Sequence, residues 1–422
     1  MRYRRTINTD GERFTGADRW TGDMPDTESD YGMKTMDYDP VFSEEEKSLA
    51  ERILNADGPE ADMFLMQLCH AELSRNQVRI LIDRFGSISE AYHADDEDIL
   101  DTKELSDEVK QRFINVRKTV DVYEEWEKMR KQEIMFISLI NEEFPERLDK
   151  ISNAPVGLFI LGRLPYSTTP ALAIVGSREC SNYGKEVAID IAKKLARAGI
   201  DIISGMAAGI DGFAHRGALN GGGDTFAVLG CGVDICYPRE NIDIYARIQK
   251  QGGIISEYYP GTQPISLNFP LRNRLISALS DGILVVEARQ RSGSWITVDY
   301  GLEQGKDIYA IPGRISDRLS TGCNNLIRTG AKAVTKAEDI IEELAPKYLR
   351  GKRNLVKEEE TAKLAGDELK IYKALELTAC SVEELCSRSG LAIDKAVCAL
   401  TMLEIKGKCV KLGNSGYARK SM

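Results

Sequence analysis

Ala171-Leu-Ala-Ile-Val-Gly-Ser-Arg178 is the stretch of sequence that decides the fold. Its apolar residues predict a short buried strand that runs into a Gly-Ser-Arg turn, and an amphipathic helix follows from about Gly184. Such a turn directs backbone N–H groups and a helix N-terminus toward an anion above the strand end. Arg178 adds a planar set of donors suited to phosphate. Gly176 is expected to let a ligand approach the backbone closely.

The same pattern of buried strand and Gly-rich exit recurs as far as residue 344. Strands are predicted at residues 171–175, 201–204, 225–229, 253–256, 282–287, 307–311 and 331–335. Their centres are continuous apolar runs, typical of parallel strands covered on both faces, and helical patterns lie between several of them. We therefore predict an α/β fold, a doubly wound parallel Rossmann-like sheet.

Changes in composition divide the chain of 422 residues into further segments. Residues 1–42 have no helical or alternating pattern and are expected to be a disordered arm. Residues 43–133 predict short helices, similar to SAM-like and helix-hairpin-helix domains, for which packing is favoured over a contact with DNA. Residues 134–344 contain a lead-in segment and the Rossmann-like sheet. A charged linker (345–366) and a winged-helix domain (367–422) complete the chain.

The winged helix is predicted from three helices followed by a β-hairpin. Its third helix is expected at residues 394–403. A helix that reads DNA bases usually exposes Arg, Lys, Asn or Gln, and this one offers only Lys395. A role in packing or protein contact is therefore favoured, with a transcription regulator that reads duplex DNA through this domain as an alternative.

Composition limits the function classes further. The chain is 42% hydrophobic and 29% charged, with a formal net charge of −10, so a phosphate-binding function requires a local basic patch. It has no apolar run near the roughly 20 residues that span a bilayer and no secretory signal, and we expect no membrane association. The nine cysteines lack the spacing of a zinc site, and their odd number fits reduced thiols in the cytoplasm. We expect no metal and no cofactor.

The loop after the second strand of the sheet carries Gly205, Gly209, Asp211 and His215. The glycines permit a tight turn with close approach of a ligand. Asp211 and His215 have two interpretations: they line a ligand pocket, or Asp211 caps the next helix while His215 packs against the loop. No nucleophile lies nearby in sequence, which argues against a catalytic dyad.

Arg272, Asn273 and Arg274 precede an apolar helical segment at residues 275–279. Two guanidiniums and an amide at the start of a helix suit phosphate oxygens or stacking on a base. A structural alternative is that these arginines pair with Glu257 or Asp281.

Two more strand exits carry arginines. Arg239 lies in a turn after the third strand, where a solvated surface position is the simplest alternative. Arg291 precedes the turn Ser292-Gly293-Ser294 and a further helix, again the geometry of an anion cradle.

Because ligands bind outside the carboxyl ends of parallel strands near the switch point, these exits predict one positive pocket on an acidic protein. The chain lacks a G-x-G-x-x-G after the first strand, a Walker A motif and a G-x-S-x-G elbow. We therefore predict a pocket that holds phosphates, with no catalytic residues. The rival hypothesis is a nucleotide-binding sensor or nucleotide-processing enzyme, with Asp211 or Glu287 as the acid or base.

Taken together, the loops resemble the DNA-processing protein A family (DprA, also called Smf). The matching motifs occur in one order over residues 140–340. They are A-I-V-G-S-R…S-x-Y-G at 173–184, S-G-x-A-x-G-I-D-x-x-A-H at 204–215, A-V-L-G-x-G-x-D-x-x-Y-P at 227–238, F-P-x-R-N-R at 269–274, V-V-E-A…S-G-S-x-x-T at 285–297 and I-P-G…G-x-N-x-L-I at 311–327.

The resemblance implies a non-enzymatic, homodimeric protein that binds single-stranded DNA without sequence preference, protects it, and loads the recombinase RecA in natural transformation and homologous recombination. By motif position, the implied DNA contacts are Gly176, Ser177, Arg178, Arg239, Arg272, Asn273 and Arg274. The resemblance implies that Gly205, Gly209 and the turn Ser292-Gly293-Ser294 shape the pocket, to which the pattern of the loops adds Asp211, His215 and Arg291. Trp295 departs from the aliphatic residue usual in the family, and either stacks on a base or packs.

Overall fold

A computed structural model describes residues 45–290, 292–344, 366–375, 380–406, 409–411 and 416–419, to which the statements below are confined. The predicted arm at 1–42, the linker residues 345–365 and Arg291 lie outside the described residues.

The N-terminal part of the described chain is helical, as predicted. Its helices are α1 (Glu45–Asp57), α2 (Ala61–His70), α3 (Arg75–Phe85), α4 (Ile88–His93), α5 (Asp96–Leu100), α6 (Asp107–Thr119) and α7 (Val122–Lys131). Local sequence sets the ends of α3: Ser74 and Gln77 form a capping box at its start, and Gly86, with a φ of 91°, ends it.

The described residues include a sheet of nine strands. These are β1 (Met135–Ser138), β2 (Gly157–Gly162), β3 (Ala171–Val175), β4 (Asp201–Ser204), β5 (Thr225–Val228), β6 (Gly252–Ser256), β7 (Gly282–Val285), β8 (Asp307–Ala310) and β9 (Lys332–Ala333). Their order is β1-β2-β6-β5-β4-β3-β7-β8-β9. The strands from β6 to β9 are parallel, which confirms the predicted doubly wound sheet. The lead-in segment adds β1 and β2 as an antiparallel edge.

Helices cover both faces of the sheet. They are α8 (Glu146–Asp149), α9 (Asn182–Arg197), α10 (Ile210–Gly221), α11 (Ile242–Ile248), α12 (Asn268–Leu279), α13 (Ser294–Glu303) and α14 (Thr321–Arg328). Alternate strand residues enter different cores: Leu172 and Ile174 pack on one side, Ala173 and Val175 on the other. A strand covered on both faces in this way must be apolar throughout, which is the pattern read from the sequence.

The N-terminal helices and the sheet share one hydrophobic core that includes Leu65, Phe159 and Tyr259. The ring of His70 at the end of α2 stacks on that of Tyr259, with 3.8 Å between centroids. The hydroxyl of Tyr259 also donates to Glu125 of α7 at 2.9 Å. These contacts fix the helical segment against the antiparallel edge of the sheet.

The C-terminal segment has the predicted winged-helix order. Helices α15 (Gly366–Ala374), α16 (Val382–Ser389) and α17 (Ile393–Ile405) precede the antiparallel strands β10 (Cys409–Lys411) and β11 (Tyr417–Arg419). Besides Lys395, the third helix exposes apolar side chains, among them Ile393 and Met402. Across the described part of the chain, no helix combines the length and apolarity required to cross a bilayer.

Candidate nucleic-acid interface

The switch point of the sheet lies between β3 and β7. From β3 the chain builds the sheet outward in one direction as far as β6, and from β7 it builds in the other direction. The two exits touch, because the N–H of Ser177 donates to the carbonyl of Glu287 at 2.8 Å. The carboxyl ends of β3 and β7 therefore form the crevice in which sheets of this kind bind ligands.

Two glycines allow the strand exits to pack this closely. A Cβ at Gly176 would lie 2.7 Å from the Ile210 side chain and 2.9 Å from the Glu287 carbonyl oxygen. Gly209 has a φ of 76°, and a Cβ there would lie 2.3 Å from the Ser177 carbonyl oxygen. The space beside Gly176 is thus filled by protein, which corrects the expectation that this glycine makes room for a ligand.

The N-terminus of α9, where the sequence predicted a bound anion, already holds a carboxylate of the protein. Glu287 is 2% exposed and accepts the Ser181 N–H at 2.8 Å and the Ser181 hydroxyl at 2.5 Å. The Ser181 hydroxyl oxygen in turn accepts the N–H of Gly184 at 3.1 Å. Glu287 therefore takes the place of the external anion that this turn was expected to bind.

Arg178, by contrast, is exposed above the crevice. Its guanidinium carbon lies 5.8 Å from the centroid of the Phe269 ring, within the range of a cation–π contact. Phe269 also pairs with Tyr237 from the exit of β5, with 5.5 Å between ring centroids. Arg239, two residues beyond Tyr237, is exposed as well. The exits of β3 and β5 thus bring Arg178 and Tyr237 to Phe269, with the exposed Arg239 two residues further along the chain.

Arg272 lies beneath this surface and is 3% exposed. Its Nη1 donates to the carbonyls of Gly205, at 2.9 Å, and Val228, and its Nε donates to Asn273 Oδ1 at 3.2 Å. Burial lowers the pKa of Arg272 to about 10, although the negative charge of Asp211 acts to raise it. Arg272 therefore ties the exits of β4 and β5 together instead of projecting into solvent.

Arg274 forms the ion pair that the structural alternative predicted. Its guanidinium lies 2.5 and 2.9 Å from the two carboxylate oxygens of Glu257, and its Nε donates to the Asn153 carbonyl at 3.1 Å. Burial, the largest single influence, lowers the pKa of Arg274, but the charge and hydrogen bonds of Glu257 together with Tyr258 and Tyr300 outweigh it, and the net shift is upward. Helix α12 begins at Asn268, so both arginines lie within it and not ahead of it. The buried ion pair favours a structural role for Arg274 over the expected phosphate contact.

Asp211 and His215 are both buried in internal contacts. Asp211 Oδ2 accepts the Gly205 N–H at 3.1 Å, and burial raises the pKa of this carboxyl. His215 Nδ1 lies 2.7 Å from Thr225 Oγ1, whose only proton goes to the Ile202 carbonyl, so Nδ1 is the donor. Burial lowers the pKa of His215 to about 3. His215 is therefore neutral and packed, as the second interpretation predicted. The helix cap expected of Asp211 is wrong, because Asp211 is the second residue of α10 and the cap position is Gly209.

The exit of β7 is fixed by contacts of its own. Arg289 pairs with Glu179 at 3.3 Å, and the half-buried Trp295 packs on the core and donates its indole N–H to the Arg289 carbonyl at 3.1 Å. Ser292 Oγ lies 3.0 Å from Ser294 Oγ and accepts the Ser294 N–H at 3.4 Å, beside the exposed Gly293. For Trp295, the contacts favour packing over base stacking.

Sequence reasoning missed the pair Phe269 and Tyr237. Both lie inside family motifs, Phe269 in F-P-x-R-N-R and Tyr237 in the final Y-P of the β5 exit. The sequence does contain a signal for this pair: each aromatic residue directly precedes a proline, one near a Gly-rich segment and the other near an Arg-rich segment.

The doubly wound sheet, with Arg178 beside an aromatic pair above its switch point, defines a Rossmann-like class of protein, in which ligands usually lie at the carboxyl ends of the strands. Residues 135–345 match the family model of DNA recombination-mediator protein A, and residues 356–414 match that of the DprA winged helix domain. The chain belongs to the DprA/Smf family of DNA processing proteins.

Individual members of this family are also similar to the chain in sequence. The chain is 43% identical to the DNA processing protein DprA of Streptococcus pneumoniae over 212 residues, 50% of this chain and 75% of that protein. The X-ray structure of DNA processing protein A from Streptococcus pneumoniae is 35% identical, with a TM-score of 0.58, over 67% of this chain and 98% of the other. A structure that describes the single-stranded DNA binding mode of the Helicobacter pylori protein is 31% identical, with a TM-score of 0.46, over 51% of this chain and 97% of the other.

Proposed function

We propose that this protein binds single-stranded DNA without sequence preference at the carboxyl edge of its sheet. It protects that DNA and transfers it to RecA in the cytoplasm, during natural transformation and homologous recombination. The observation that carries the proposal is the exposed Arg178 guanidinium against Phe269 at the switch point. Membership in a family of DNA recombination mediators supports DNA as the ligand.

The aromatic pair favours a single strand over a duplex. Tyr237 is 42% exposed and lies against Phe269, which Arg178 also contacts, and the exposed Arg239 follows Tyr237 by two residues. Unpaired bases have free faces that stack on aromatic rings whatever their sequence, while bases in a duplex are already stacked. Arginines beside the rings would hold the adjacent phosphates. Single-strand preference and sequence tolerance therefore follow from the same surface.

Binding without catalysis is favoured because the candidate acid and base groups are engaged. Glu287 accepts two hydrogen bonds from Ser181, and Asp211 accepts the Gly205 N–H. His215 is fully buried, and burial lowers the pKa of its ring to about 3. These groups hold the strand exits together, which supports a structural role over the acid–base role in the rival enzyme hypothesis.

Fluorescence anisotropy tests the proposal with three ligands: labelled oligo-dT, a duplex of the same length and a labelled mononucleotide, each at two salt concentrations. We expect oligo-dT to bind most tightly, with a log–log salt slope of about −0.7 per phosphate neutralised. Tighter binding of the mononucleotide than of oligo-dT would support the nucleotide-sensor hypothesis instead.

Transfer to RecA and dimerisation belong to the same proposal and need separate measurements. RecA ATPase activity on DNA covered with a single-strand-binding protein should rise when this protein is added, and light scattering should give the mass of a homodimer. Absence of stimulation, with DNA binding intact, would reject the transfer step alone.

A further inference from the structure

We propose that the loop between β8 and α14, residues 312–320, is a second contact for the same DNA strand. This inference rests on the proposed function of the carboxyl edge. The strand would leave the crevice at β3 and β7 and continue over this loop. Arg314 and Arg318 would hold its phosphates, and Ile315 would contact a base.

The loop presents an unusual combination of side chains. Ile315 is 98% exposed, the highest exposure among the large apolar side chains of the described residues. Arg314 and Arg318 on either side of it are also exposed. Over the ranges that the structure describes, neither arginine forms an ion pair with a carboxylate. Asp317, which lies between them in sequence, accepts the N–H of Leu319 at 3.0 Å.

The exposure of Ile315 is built into an ordered turn. The N–H of Asp317 donates to the Arg314 carbonyl at 3.0 Å, so Ile315 and Ser316 form the tip of a β-turn. Gly313 exchanges hydrogen bonds with the Asn324 side chain at 3.1 and 3.2 Å, which fixes the loop to α14. The backbone of this turn keeps an apolar side chain exposed to water, so covering it with another apolar surface is favourable. The face of an unstacked base is such a surface.

The loop is continuous with the crevice. The carbonyl of Leu319 accepts the N–H of Ala288 at 2.8 Å, and the next residue back, Glu287, accepts the N–H of Ser177 at the same distance. β8 lies two strands from β3, which corresponds to about 10 Å at the usual spacing of neighbouring strands. One DNA strand that crosses the switch point can therefore reach the loop without a turn.

Charge balance explains why such a contact is needed. Two of the arginines expected at the crevice, Arg272 and Arg274, are buried in internal hydrogen bonds, and the chain carries a net charge of −10. Neutralising several phosphates then requires further exposed cations along the same edge. Arg314 and Arg318 supply two, next to the crevice.

The test compares Arg314→Ala/Arg318→Ala with a control, Arg247→Ala/Lys250→Ala. Both control residues are exposed and lie at or just after the end of α11, shortly before β6 begins. They are therefore on the side of the sheet that carries the amino ends of the parallel strands, opposite the loop. Affinity is measured for oligo-dT of about 4 and about 16 nucleotides, the range of common single-strand site sizes. We expect the loop variant to bind the longer oligonucleotide about 10-fold more weakly, with a salt slope smaller by about 1.4, and the shorter one as wild type does.

Equal losses in the loop and control variants, or none for the longer oligonucleotide, would overturn the inference. Failure of the wild-type protein to bind either length would instead reject the proposed function of the edge. Ile315→Ser separates DNA from a protein partner. Weaker binding of the longer oligonucleotide with unchanged oligomeric mass supports the base contact, and unchanged DNA binding with altered mass shows that Ile315 covers a second copy of the chain.

Discussion

The ion pair between Arg274 and Glu257 makes a sharp prediction, because it decides whether Arg274 serves the fold or the DNA. Their side chains are 11% and 17% exposed, and the guanidinium contacts both carboxylate oxygens. Removing one partner leaves an uncompensated buried charge. We therefore expect Arg274→Met or Glu257→Met, each alone, to lower the free energy of unfolding by about 3–5 kcal/mol.

The double variant Arg274→Met/Glu257→Met is the decisive protein. Replacing a buried ion pair with apolar side chains of similar volume is often neutral or stabilising. Hydrogen bonds to the carbonyls of Asn153 and Leu271 are also lost, each of which costs about 1 kcal/mol. The double variant should then be more stable than either single variant.

Urea unfolding followed by circular dichroism measures these stabilities, and anisotropy with oligo-dT measures binding by the folded double variant. We expect wild-type affinity within about 2-fold, which corresponds to less than about 0.5 kcal/mol. Loss of 10-fold or more in a stable double variant would refute the structural role and return Arg274 to the DNA surface.

Three further outcomes are expected. Arg178→Ala and Arg239→Ala should each weaken oligo-dT binding and reduce the salt slope by about 0.7, while the amino-edge control Arg247→Ala changes neither; anisotropy at several salt concentrations checks this. Gly209→Ala should destabilise the protein by about 1–3 kcal/mol in urea unfolding, because its Cβ would meet a carbonyl at 2.3 Å with φ at 76°. His215 has a folded pKa lowered to about 3, so the unfolded chain binds its proton first and stability falls as pH drops below about 6.5. His215→Asn should therefore lose about 1.4 kcal/mol less than wild type between about pH 7.5 and pH 5.5 in urea unfolding, and an equal loss in both proteins would contradict the assignment.

Several features followed directly from local sequence. A strand buried on both faces must be apolar along its whole length, so the run at residues 171–175 identified β3 without knowledge of its neighbours. Caps are local as well: Ser381 and Glu384, three residues apart, form the capping box that begins α16. The order of motifs then indicated the family that the comparisons confirmed.

The environment of each charged side chain depends on residues that are distant in the sequence. Arg274 meets Glu257 from 17 positions away, Arg272 meets the carbonyl of Gly205 from 67, and the carboxylate at the start of α9 comes from Glu287, 106 positions beyond Ser181. Every arginine guanidinium has the same donors and the same charge. The sequence near an arginine therefore does not show whether water or a carboxylate faces it in the folded protein.

By itself, then, the sequence determined the doubly wound sheet, the Gly-rich strand exits and the family, because apolar periodicity and turn chemistry act within a few residues. Only the tertiary structure decided which arginines face solvent. Folding brings distant carboxylates and carbonyls to Arg272 and Arg274 and leaves Arg178 and Arg239 exposed, because burial depends on every element packed around a side chain.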